Sequence, residues 1–327
     1  MTEAGRPAEG VASVARKASE LRRLELIVTR RLDGLLRGEF LGRNTGPGSD
    51  FSGARRYEPG DDARRIDWNL SARSLDLQLR TTDADRELST WAVVDRSGSM
   101  NFGTADREKA DVAFSALAAF GFLTARHGNQ FGVIASGEDR VVRLGPGSTR
   151  AALMAVMSRY YDLARAVPGV PGRVDLVDAL RSLERAHARR GQVIVISDFL
   201  DTTDWHKSLT RLGLQHQVLA VQIIDPREFT LPAAGMLTVI DTETGRQMHL
   251  QSNSTTLRAR YAAAARARHD AIARRIRDAG ADHLVLSTEG DWLIDIVRFI
   301  VGRRTTQRNR TAARDQFARA SRIRSLT

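Results

Sequence analysis

The sequence predicts an α/β protein built on a doubly wound, mostly parallel β-sheet. After Glu87, short apolar runs of strand length alternate with helical segments, which is typical of strands joined by crossover helices. Hydrophobic residues make up 42% of the 327 positions, enough for a sizeable core. The absence of cysteine excludes a disulfide framework, a thiol nucleophile and a cysteine-ligated metal, so the fold has to depend on packing.

The predicted elements begin with an amphipathic helix over residues 21–36, where leucines recur at mostly helical spacing. A loop-rich stretch then leads to a strand at 75–79, in which leucines alternate with polar residues. Ser254 and Gly280 fit the N-cap and the C′ position of one long helix. The further predicted strands are 91–94, 130–135, 141–144, 193–196, 217–224 and 283–286, and the helices are 106–126, 149–161, 173–189, 204–213, 254–279 and 290–301.

Two short strands flank the turn sequence D-T-E-T-G-R and predict a β-hairpin inserted at about 232–252. The expected organisation is a disordered N-terminus (1–20), an N-terminal helix with an extended segment (21–87), an α/β domain (88–302) and a flexible basic tail (303–327). The longest apolar stretch, 112–125, falls short of the roughly 20 residues of a membrane helix. We therefore expect a cytoplasmic protein with no membrane span.

The net charge of +11 comes almost entirely from arginine, which supplies 47 of the 50 basic residues. Residues 254–279 carry a net charge of +5 and residues 303–327 carry +7, so the rest of the chain is close to neutral. Two explanations stay open: codon usage in a GC-rich genome, or contact with nucleic acid or an acidic protein. No nucleic-acid-binding motif accompanies the charge, which disfavours nucleic acid as the partner.

The sharpest chemical motif is D-R-S-G-S-M, which follows the apolar run 91–94 and contains Asp95, Ser97 and Ser99. Asp198 follows the run 193–196 in the same way. Because the carboxyl ends of parallel strands meet at one edge of a sheet, these side chains are expected to lie close together. One carboxylate and two hydroxyls suit a hard cation such as Mg²⁺ or Mn²⁺. We predict a metal site of Asp95, Ser97 and Ser99, with Asp198 bound through water or orienting the metal's waters.

Two simpler interpretations remain for these residues. Asp95, Ser97 and Ser99 could close a turn and cap the next helix. Asp198, with Asp201 and Asp204, could form only the acidic start of a helix, where carboxylates favour the helix dipole.

The D-x-S-x-S motif resembles the metal-ion-dependent adhesion site of von Willebrand factor A domains. The pieces Y-E-P-G-D-D, R-I-D-W and S-A-R narrow the resemblance to the bacterial family called domain of unknown function 58. Members of that family resemble von Willebrand factor A domains and are often encoded beside MoxR-type AAA+ ATPases. The resemblance covers residues from about 21 to 303 and implies a sheet of von Willebrand factor A (Rossmann-like) type. It also implies a family motif of unknown role, which consists of Tyr57, Pro59, Gly60, Asp61, Arg65, Asp67, Trp68, Ser71 and Arg73.

One position departs from the von Willebrand pattern. Those domains commonly supply a threonine ligand from a middle loop, whereas here Val174 stands about where it would fall. Asp175 beside it could substitute as a ligand. For the 57–73 segment, a buried brace in which Trp68 and Ile66 pack is an alternative to a binding role.

Several enzyme classes lack their motifs in this chain. The sequence contains no P-loop, no G-x-G-x-x-G, no G-x-S-x-G and no H-E-x-x-H motif. A phosphatase of the haloacid dehalogenase type needs a second carboxylate two residues after its first, and here that position is Ser97. We therefore expect a non-catalytic protein-interaction module whose metal accepts an Asp or Glu from a partner protein. The resemblance implies an adaptor for a MoxR-type AAA+ ATPase in protein remodelling or complex assembly. The alternative is a metal-free scaffold that binds nucleic acid or an acidic protein through its Arg-rich helix and tail.

Overall fold

The computed structural model describes residues 19, 21–31, 54–58, 61–74, 76–80, 89–103, 107–126, 128–136, 140–163, 174–186, 190–201, 203–240 and 246–303. The predicted disordered N-terminus lies outside these residues except for position 19, and the predicted tail lies outside them from 304 onward. The chain divides into two compact units, one of Arg37–Leu88 and one of Met1–Leu36 with Ser89–Thr327.

The predicted helices and strands occur in the predicted order, with bounds that differ by a few residues, and two short elements, at 54–56 and 68–71, were not predicted. Residues 32–36 of the predicted first helix lie outside the described residues. The strands are β1 (Ala54–Arg56), β2 (Gln78–Arg80), β3 (Ser89–Val94), β4 (Gln130–Ser136), β5 (Val141–Gly147), β6 (Gln192–Ser197), β7 (Gln217–Ile224), β8 (Met236–Ile240), β9 (Gln247–Gln251) and β10 (Asp282–Ser287). The helices are α1 (21–31), α2 (Trp68–Ser71), α3 (Lys109–Ala125), α4 (Arg150–Tyr161), α5 (Leu176–Ala186), α6 (Trp205–Gln215), α7 (Thr255–Asp278) and α8 (292–303).

In the smaller unit, β1 pairs with β2 in antiparallel orientation, and Leu79 also bridges to Ile66. A single turn of 3₁₀-helix, Ala63–Arg65, precedes α2. Asp62 caps this 3₁₀-helix and Asp67 caps α2, in each case by accepting hydrogen bonds from backbone N–H groups. These caps are the reason that such short helices can form here, because they satisfy N–H groups that have no partner within the helix.

The larger unit contains a six-stranded sheet in the order β10-β7-β6-β3-β4-β5. The five strands from β10 to β4 are parallel, and β5 joins the edge in antiparallel orientation. The predicted doubly wound, mostly parallel sheet is confirmed. The link from β4 to β5 spans only 137–140, too short for a crossover helix, which forces β5 to run antiparallel.

Both faces of this sheet are covered, which explains why its central strands are continuously apolar. One face packs against α1, α3, α4 and α8, with Leu117, Met157 and Ile296 among the buried side chains. The other face packs against α5, α6 and α7, with Leu180, Trp205 and Ile276 buried. The sheet is therefore a rigid layer whose carboxyl edge can hold side chains in fixed positions.

The predicted hairpin is also confirmed: β8 and β9 pair in antiparallel orientation as a separate two-stranded sheet. The predicted cap residues of the long helix α7 behave as expected. Ser254 accepts a hydrogen bond from Leu257 N, and Gly280 adopts a φ of 75° just beyond the C-cap. Among the described residues, no helix combines the length and the apolar character that a membrane crossing requires.

Candidate cation site at the carboxyl edge of the sheet

The D-x-S-x-S motif lies where the strand order of the sheet reverses. From the central strand β3 the chain proceeds to β4 and β5 on one side, and then crosses to β6, β7 and β10 on the other. In open α/β sheets, this reversal leaves a crevice outside the carboxyl ends of the strands in which ligands bind. Asp95 directly follows β3, and its backbone N–H donates to Ile196 O at 2.9 Å, which fixes it beside the end of β6.

The Asp95 carboxylate is 2% exposed and is held by neutral groups. Its Oδ1 accepts a hydrogen bond from Ser97 N at 2.9 Å, and its Oδ2 accepts one from the Ser197 hydroxyl at 2.6 Å. Within the described part of the chain, no lysine or arginine forms an ion pair with it. Among the residues that the structure describes, the Asp95 carboxylate is therefore buried beside neutral donors and without a cationic partner.

The environment of Asp95 raises the pKa of its carboxyl group from 3.8 to about 6. Burial is the largest cause, and the negative charge of Asp198 adds to it, whereas the hydrogen bonds from Ser197 and Ser97 oppose it. Both leading causes disfavour the ionised form, so a bound cation would relieve the electrostatic cost at this position.

Ser97 and Ser99 bring their hydroxyl oxygens to 3.1 Å from each other. Ser97 occupies the N-cap position of the 3₁₀-helix Gly98–Asn101, yet its side chain makes no capping hydrogen bond. The following helix α3 is capped by other residues, because Glu108 N donates to Asp111 Oδ2 at 3.1 Å. The serines therefore do not cap α3, whereas the turn-closing part of that interpretation holds for Asp95, whose Oδ1 accepts a hydrogen bond from Ser97 N.

Asp198 has a cationic partner that the sequence analysis missed. Lys109 Nζ lies 2.6 Å from Asp198 Oδ2 and also forms an ion pair with Glu228. Lys109 is fully buried and Asp198 is 2% exposed. Although burial lowers the pKa of Lys109, the charges of Asp198 and Glu228 raise it above 10.5, so the ammonium group stays charged.

This ion pair changes the role that Asp198 can have. Its Oδ1 accepts a hydrogen bond from Leu200 N at 3.1 Å, so each of its oxygens has a partner. Asp198 acts on Asp95 through its charge, which suits a residue that influences a cation indirectly. A signal for Lys109 was present in the sequence: it is one of only three lysines in a chain with 47 arginines.

The backbone beside Asp198 is in an unusual conformation. Phe199 has a φ of 57°, which costs about 1–3 kcal/mol for a residue other than glycine. Phe199 N donates to the Ser197 hydroxyl at 2.8 Å, and the Phe199 ring packs edge-on against Trp205 with centroids 5.0 Å apart. Such strain at the end of β6 is typical of a functional site and holds Asp198 in a fixed turn.

The carboxylate of Asp175 already has a hydrogen-bond partner at the start of α5, because its Oδ1 accepts a hydrogen bond from Asp178 N at 2.8 Å. Burial raises the pKa of Asp175, and the charges of Asp178 and Asp201 add to that rise. Its described contacts do not include Asp95 or the two serines. Its role as a substitute ligand stays a prediction, as does the assignment of Val174 to the threonine position.

The acidic residues after β6 have different roles. Asp201 accepts a hydrogen bond from Thr203 N at 2.8 Å, and Asp204 forms ion pairs with Lys207 and Arg275 at the start of α6. The helix-start interpretation therefore fits Asp201 and Asp204. It does not fit Asp198, whose carboxylate contacts Lys109 instead.

The family-motif residues form a hydrogen-bonded turn in the smaller unit. Tyr57 N donates to Leu77 O, Glu58 N donates to Asp61 Oδ2, and Gln78 N donates to the Ser71 hydroxyl. These bonds tie the motif to β2. Pro59, Gly60 and the side chain of Arg65 lie outside the described residues.

The exposure of Trp68 contradicts the interpretation of this segment as a buried brace. It is 67% exposed, although that interpretation required it to pack. It begins α2, and the capping bonds from Asn69 N and Leu70 N to Asp67 hold the helix in place without using the indole ring. Arg73, two residues after the end of α2, is also exposed. The turn thus presents Trp68 and Arg73 on its surface.

The arginines of α7 do not form one basic face. At 100° per residue, Arg258, Arg266 and Arg260 point in directions about 0°, 80° and 200° around the helix axis. Two arginines of α7 also bind within the protein: Arg258 donates to Ser252 O at 2.8 Å, and Arg275 lies 4.5 Å from the centroid of the Trp205 ring. This distribution does not favour a nucleic-acid-binding surface on the helix.

The donor atoms at the carboxyl edge fit a hard divalent cation. Among the described residues, no three His, Asp or Glu side chains gather as a metal site, so a cation here has to use hydroxyl oxygens beside a carboxylate. Asp95 offers the carboxylate, and Ser97 and Ser99 offer the hydroxyls. Oxygen donors of this kind are those that Mg²⁺ prefers, with water completing its shell.

Comparisons with known proteins identify relatives over most of the chain. An uncharacterized protein of Mycobacterium tuberculosis (strain H37Rv) is 42% identical over 287 residues, which cover 88% of this chain and 90% of that protein. An uncharacterized protein of Mycobacterium bovis matches to the same extent.

Two solved structures are also similar. The crystal structure of BatB from Bacteroides thetaiotaomicron has 14% sequence identity and a TM-score of 0.39, covering 66% of this chain and 98% of its own. The von Willebrand factor A domain of SpRpn10 has 14% identity and a TM-score of 0.36, covering 64% of this chain and 93% of its own. The family model described as "Protein of unknown function DUF58" matches residues 53–271. With two thirds of its length covered by that model and relatives at 42% identity, the chain belongs to the DUF58 family.

Proposed function

We propose that this protein is a non-catalytic, cation-dependent protein-interaction module. Asp95, Ser97 and Ser99 hold Mg²⁺ or Mn²⁺ at the carboxyl edge of the sheet, and an Asp or Glu side chain of a partner protein binds there. When bound, the cation supplies positive charge and an open coordination position for that carboxylate. Asp198 acts through its charge, with Asp175 as a further candidate ligand.

The observation that supports this proposal most is the buried carboxylate of Asp95, which no lysine or arginine in the described part of the chain compensates. A buried carboxylate without a cation costs free energy, which proteins normally avoid by pairing. Here the nearest hydrogen-bond donors are neutral, although a buried lysine lies close enough to neutralise Asp198. The arrangement is what a binding site for an external cation requires.

The resemblance to the family motif extends the proposal to a partner. MoxR-type AAA+ ATPases are often encoded beside members of this family, so we propose that the module acts as an adaptor in ATP-driven protein remodelling or assembly. The exposed ring of Trp68, in the motif of the smaller unit, is a surface such a partner could contact.

Isothermal titration calorimetry tests the cation site directly. Mg²⁺ and Mn²⁺ are titrated into the wild-type protein, into the double variant Ser97→Ala with Ser99→Ala, and into Ser182→Ala as a control. Ser182 lies on α5, outside the site. We expect binding in the wild type and the control and no binding in the double variant, because two of the three proposed ligands are lost.

Equal heats in the wild type and the double variant would contradict the proposal, and so would a wild type that binds neither ion. Thermal unfolding of each variant shows whether the fold is intact. Ser97 is half-buried and Ser99 is 7% exposed, so the loss of hydrogen bonds should cost about 0.5–1.5 kcal/mol for each substitution.

A further inference from the structure

The β8–β9 hairpin has an inner strand and an outer strand. Residues of β8 line a groove of about 1030 Å³ together with residues of α7 and with Ser99. Among the described residues that line this groove, none belongs to β9, and four of the five residues of β9 are exposed. β9 is therefore the outer strand of the hairpin.

The base of the hairpin fixes which backbone groups of β9 point outward. Ser252 is fully buried, and its hydroxyl donates to Gly235 O at 2.8 Å. Ser252 N also donates to Gly235 O at 2.7 Å, so these two residues form a hydrogen-bonded pair next to the first pair of the ladder. Hydrogen-bonded and non-hydrogen-bonded pairs alternate along an antiparallel ladder. The N–H and C=O groups of Gln247, His249 and Gln251 therefore point away from β8.

The outer edge of β9 is unprotected. Within the described part of the chain, the backbone of β9 pairs with β8 and forms no backbone hydrogen bond on its outer side. Edge strands are usually protected from further pairing by charged residues or proline. Neither β8 nor β9 contains Lys, Arg, Asp, Glu or Pro, although charged residues make up 27% of the chain. Such an edge is a template for another strand.

The sequence of β9, Q-M-H-L-Q, is complementary to itself in the reversed direction. When two copies of this strand pair in antiparallel orientation about a two-fold axis at His249, Gln247 of one copy lies opposite Gln251 of the other. Met248 then lies opposite Leu250, and the two copies of His249 lie opposite each other. Amide groups meet amide groups and apolar side chains meet apolar side chains. A second copy of this chain therefore fits the edge of β9.

The same register suits the backbone. Two antiparallel strands form hydrogen bonds where outward-pointing groups of one meet outward-pointing groups of the other. With the axis at His249, the outward groups of Gln247 meet those of Gln251, and those of His249 meet their own counterparts. A shift by one residue would place outward groups opposite inward groups. Side chains and backbone therefore select one register.

Pairing through β9 also completes an apolar face. Leu237 pairs with Leu250 and Val239 pairs with Met248, so these four side chains lie on one face of the hairpin. Val239 is 40% exposed and Met248 is 56% exposed. A lone two-stranded hairpin is only marginally stable, whereas three or more strands with an apolar face form a stable sheet. Two hairpins paired through β9 form such a sheet.

We propose that two copies of this protein form a dimer through β9, in a four-stranded sheet of the order β8-β9-β9-β8. Both copies use the same residues, so the assembly closes at two chains. The five residues of β9 are few beside the roughly 20–30 residues on each side of a standard interface, so the dimer should dissociate reversibly. This inference goes beyond the proposed function and does not depend on it, and the dimer presents two candidate cation sites to a partner.

Sedimentation velocity of the full-length protein over about a hundredfold range of concentration tests the proposal. We expect a reversible monomer–dimer equilibrium in the wild type, with and without a chelator. In the double variant Gln247→Glu with Gln251→Glu, like charges oppose each other across the axis, so the dissociation constant should rise about tenfold. In Gln247→Lys with Gln251→Glu, opposite charges meet at the same places, so the dimer should be at least as stable as in the wild type.

A matched control for the added charge is available outside the hairpin. Gln215 and Gln217 are exposed residues at the end of α6 and the start of β7. Gln215→Glu with Gln217→Glu makes the same chemical change and should leave the dissociation constant unchanged. His249→Pro removes an outward N–H at the axis without removing a hydrogen bond to β8, so it should abolish the dimer. Circular dichroism shows whether every variant is folded.

Hydrogen exchange followed by mass spectrometry locates the interface. Amides of the segment 247–251 should exchange more slowly as the protein concentration rises. A dimer that protects a different surface, or that the β9 variants do not affect, would overturn the proposal. A dimer that a chelator dissociates would also overturn it, because the contact would then lie at the cation site.

A protein that stays monomeric at every concentration would overturn the proposal as well. The edge of β9 would then be free or covered by another occupant, such as the segment 304–327 of this chain or a strand of a different protein. Calorimetry with Mn²⁺ decides the cation site independently, so failure of the dimer and failure of the proposed function are distinguishable.

Discussion

Replacing Lys109 with methionine should strongly destabilise the larger unit. Methionine keeps most of the aliphatic stem but removes the ammonium group that pairs with Asp198 and Glu228. Asp198, 2% exposed, would retain only the hydrogen bond from Leu200 N, whereas Glu228, at 23% side-chain exposure, is partly solvated. Breaking a buried pair in this way costs about 3–5 kcal/mol, because a charge stays buried without a partner.

Equilibrium unfolding in urea, followed by circular dichroism, measures this loss. Lys207→Met is the matched control, since Lys207 pairs with Asp204 at 2.9 Å but the two side chains are 73% and 50% exposed. An exposed pair contributes about 0–1 kcal/mol, so the control should change the free energy of unfolding by no more than that. The difference between the two variants isolates the effect of burial.

A second variant separates the lost ion pair from lost packing. Adding Asp198→Asn to Lys109→Met removes the stranded charge, so more than half of the lost stability should return. If Lys109→Met instead costs no more than Lys207→Met, the ion pair is not the structural element that we infer. If Asp198→Asn restores nothing, the loss comes from packing and the electrostatic reasoning is wrong.

Two further predictions concern the cation site and pH. Val174→Thr should tighten Mn²⁺ binding in calorimetry, because it restores a hydroxyl where related domains supply one; unchanged affinity would show that Val174 does not occupy that position. Burial, with His269 and Arg277 nearby, lowers the pKa of His283 from 6.5 to about 4. Between these pH values the unfolded chain binds a proton at His283 that the folded protein does not, so the contribution of His283 to the free energy of unfolding should fall as pH drops from 6.5 to 4, whereas the raised pKa of Asp95 contributes in the opposite direction. His283→Asn should lessen that fall in urea unfolding at several pH values, and an identical pH dependence in both proteins would refute the assignment.

The periodicity of the sequence was sufficient to predict most of the fold. Continuous apolar runs such as 193–196 became strands buried on both faces, since their side chains point alternately to two covered sides of the sheet. Cap residues are equally local signals, and Ser254 and Gly280 mark the ends of α7 as predicted. The predicted strand 141–144 was found, but its antiparallel direction followed from the short link to β4.

The candidate site was only partly predictable. Asp95, Ser97 and Ser99 are close in sequence, so one motif places them on one turn, where the structure brings the two hydroxyls to 3.1 Å. Lys109 was missed because its partner Asp198 is 89 residues away and pairs with it only when α3 and β6 pack. A pattern of local residues does not contain that distance.

By itself, the sequence determined the fold class, the order of its elements and the D-x-S-x-S motif at a strand end. These follow from alternation, helical spacing and turn residues, which act over a few neighbouring positions. Only the tertiary structure decided that Lys109 neutralises Asp198, that Trp68 is exposed, and that β8 and α7 line one groove together with Ser99. Burial and charge pairing depend on which distant segments pack together, and that is fixed only when the whole sheet has formed.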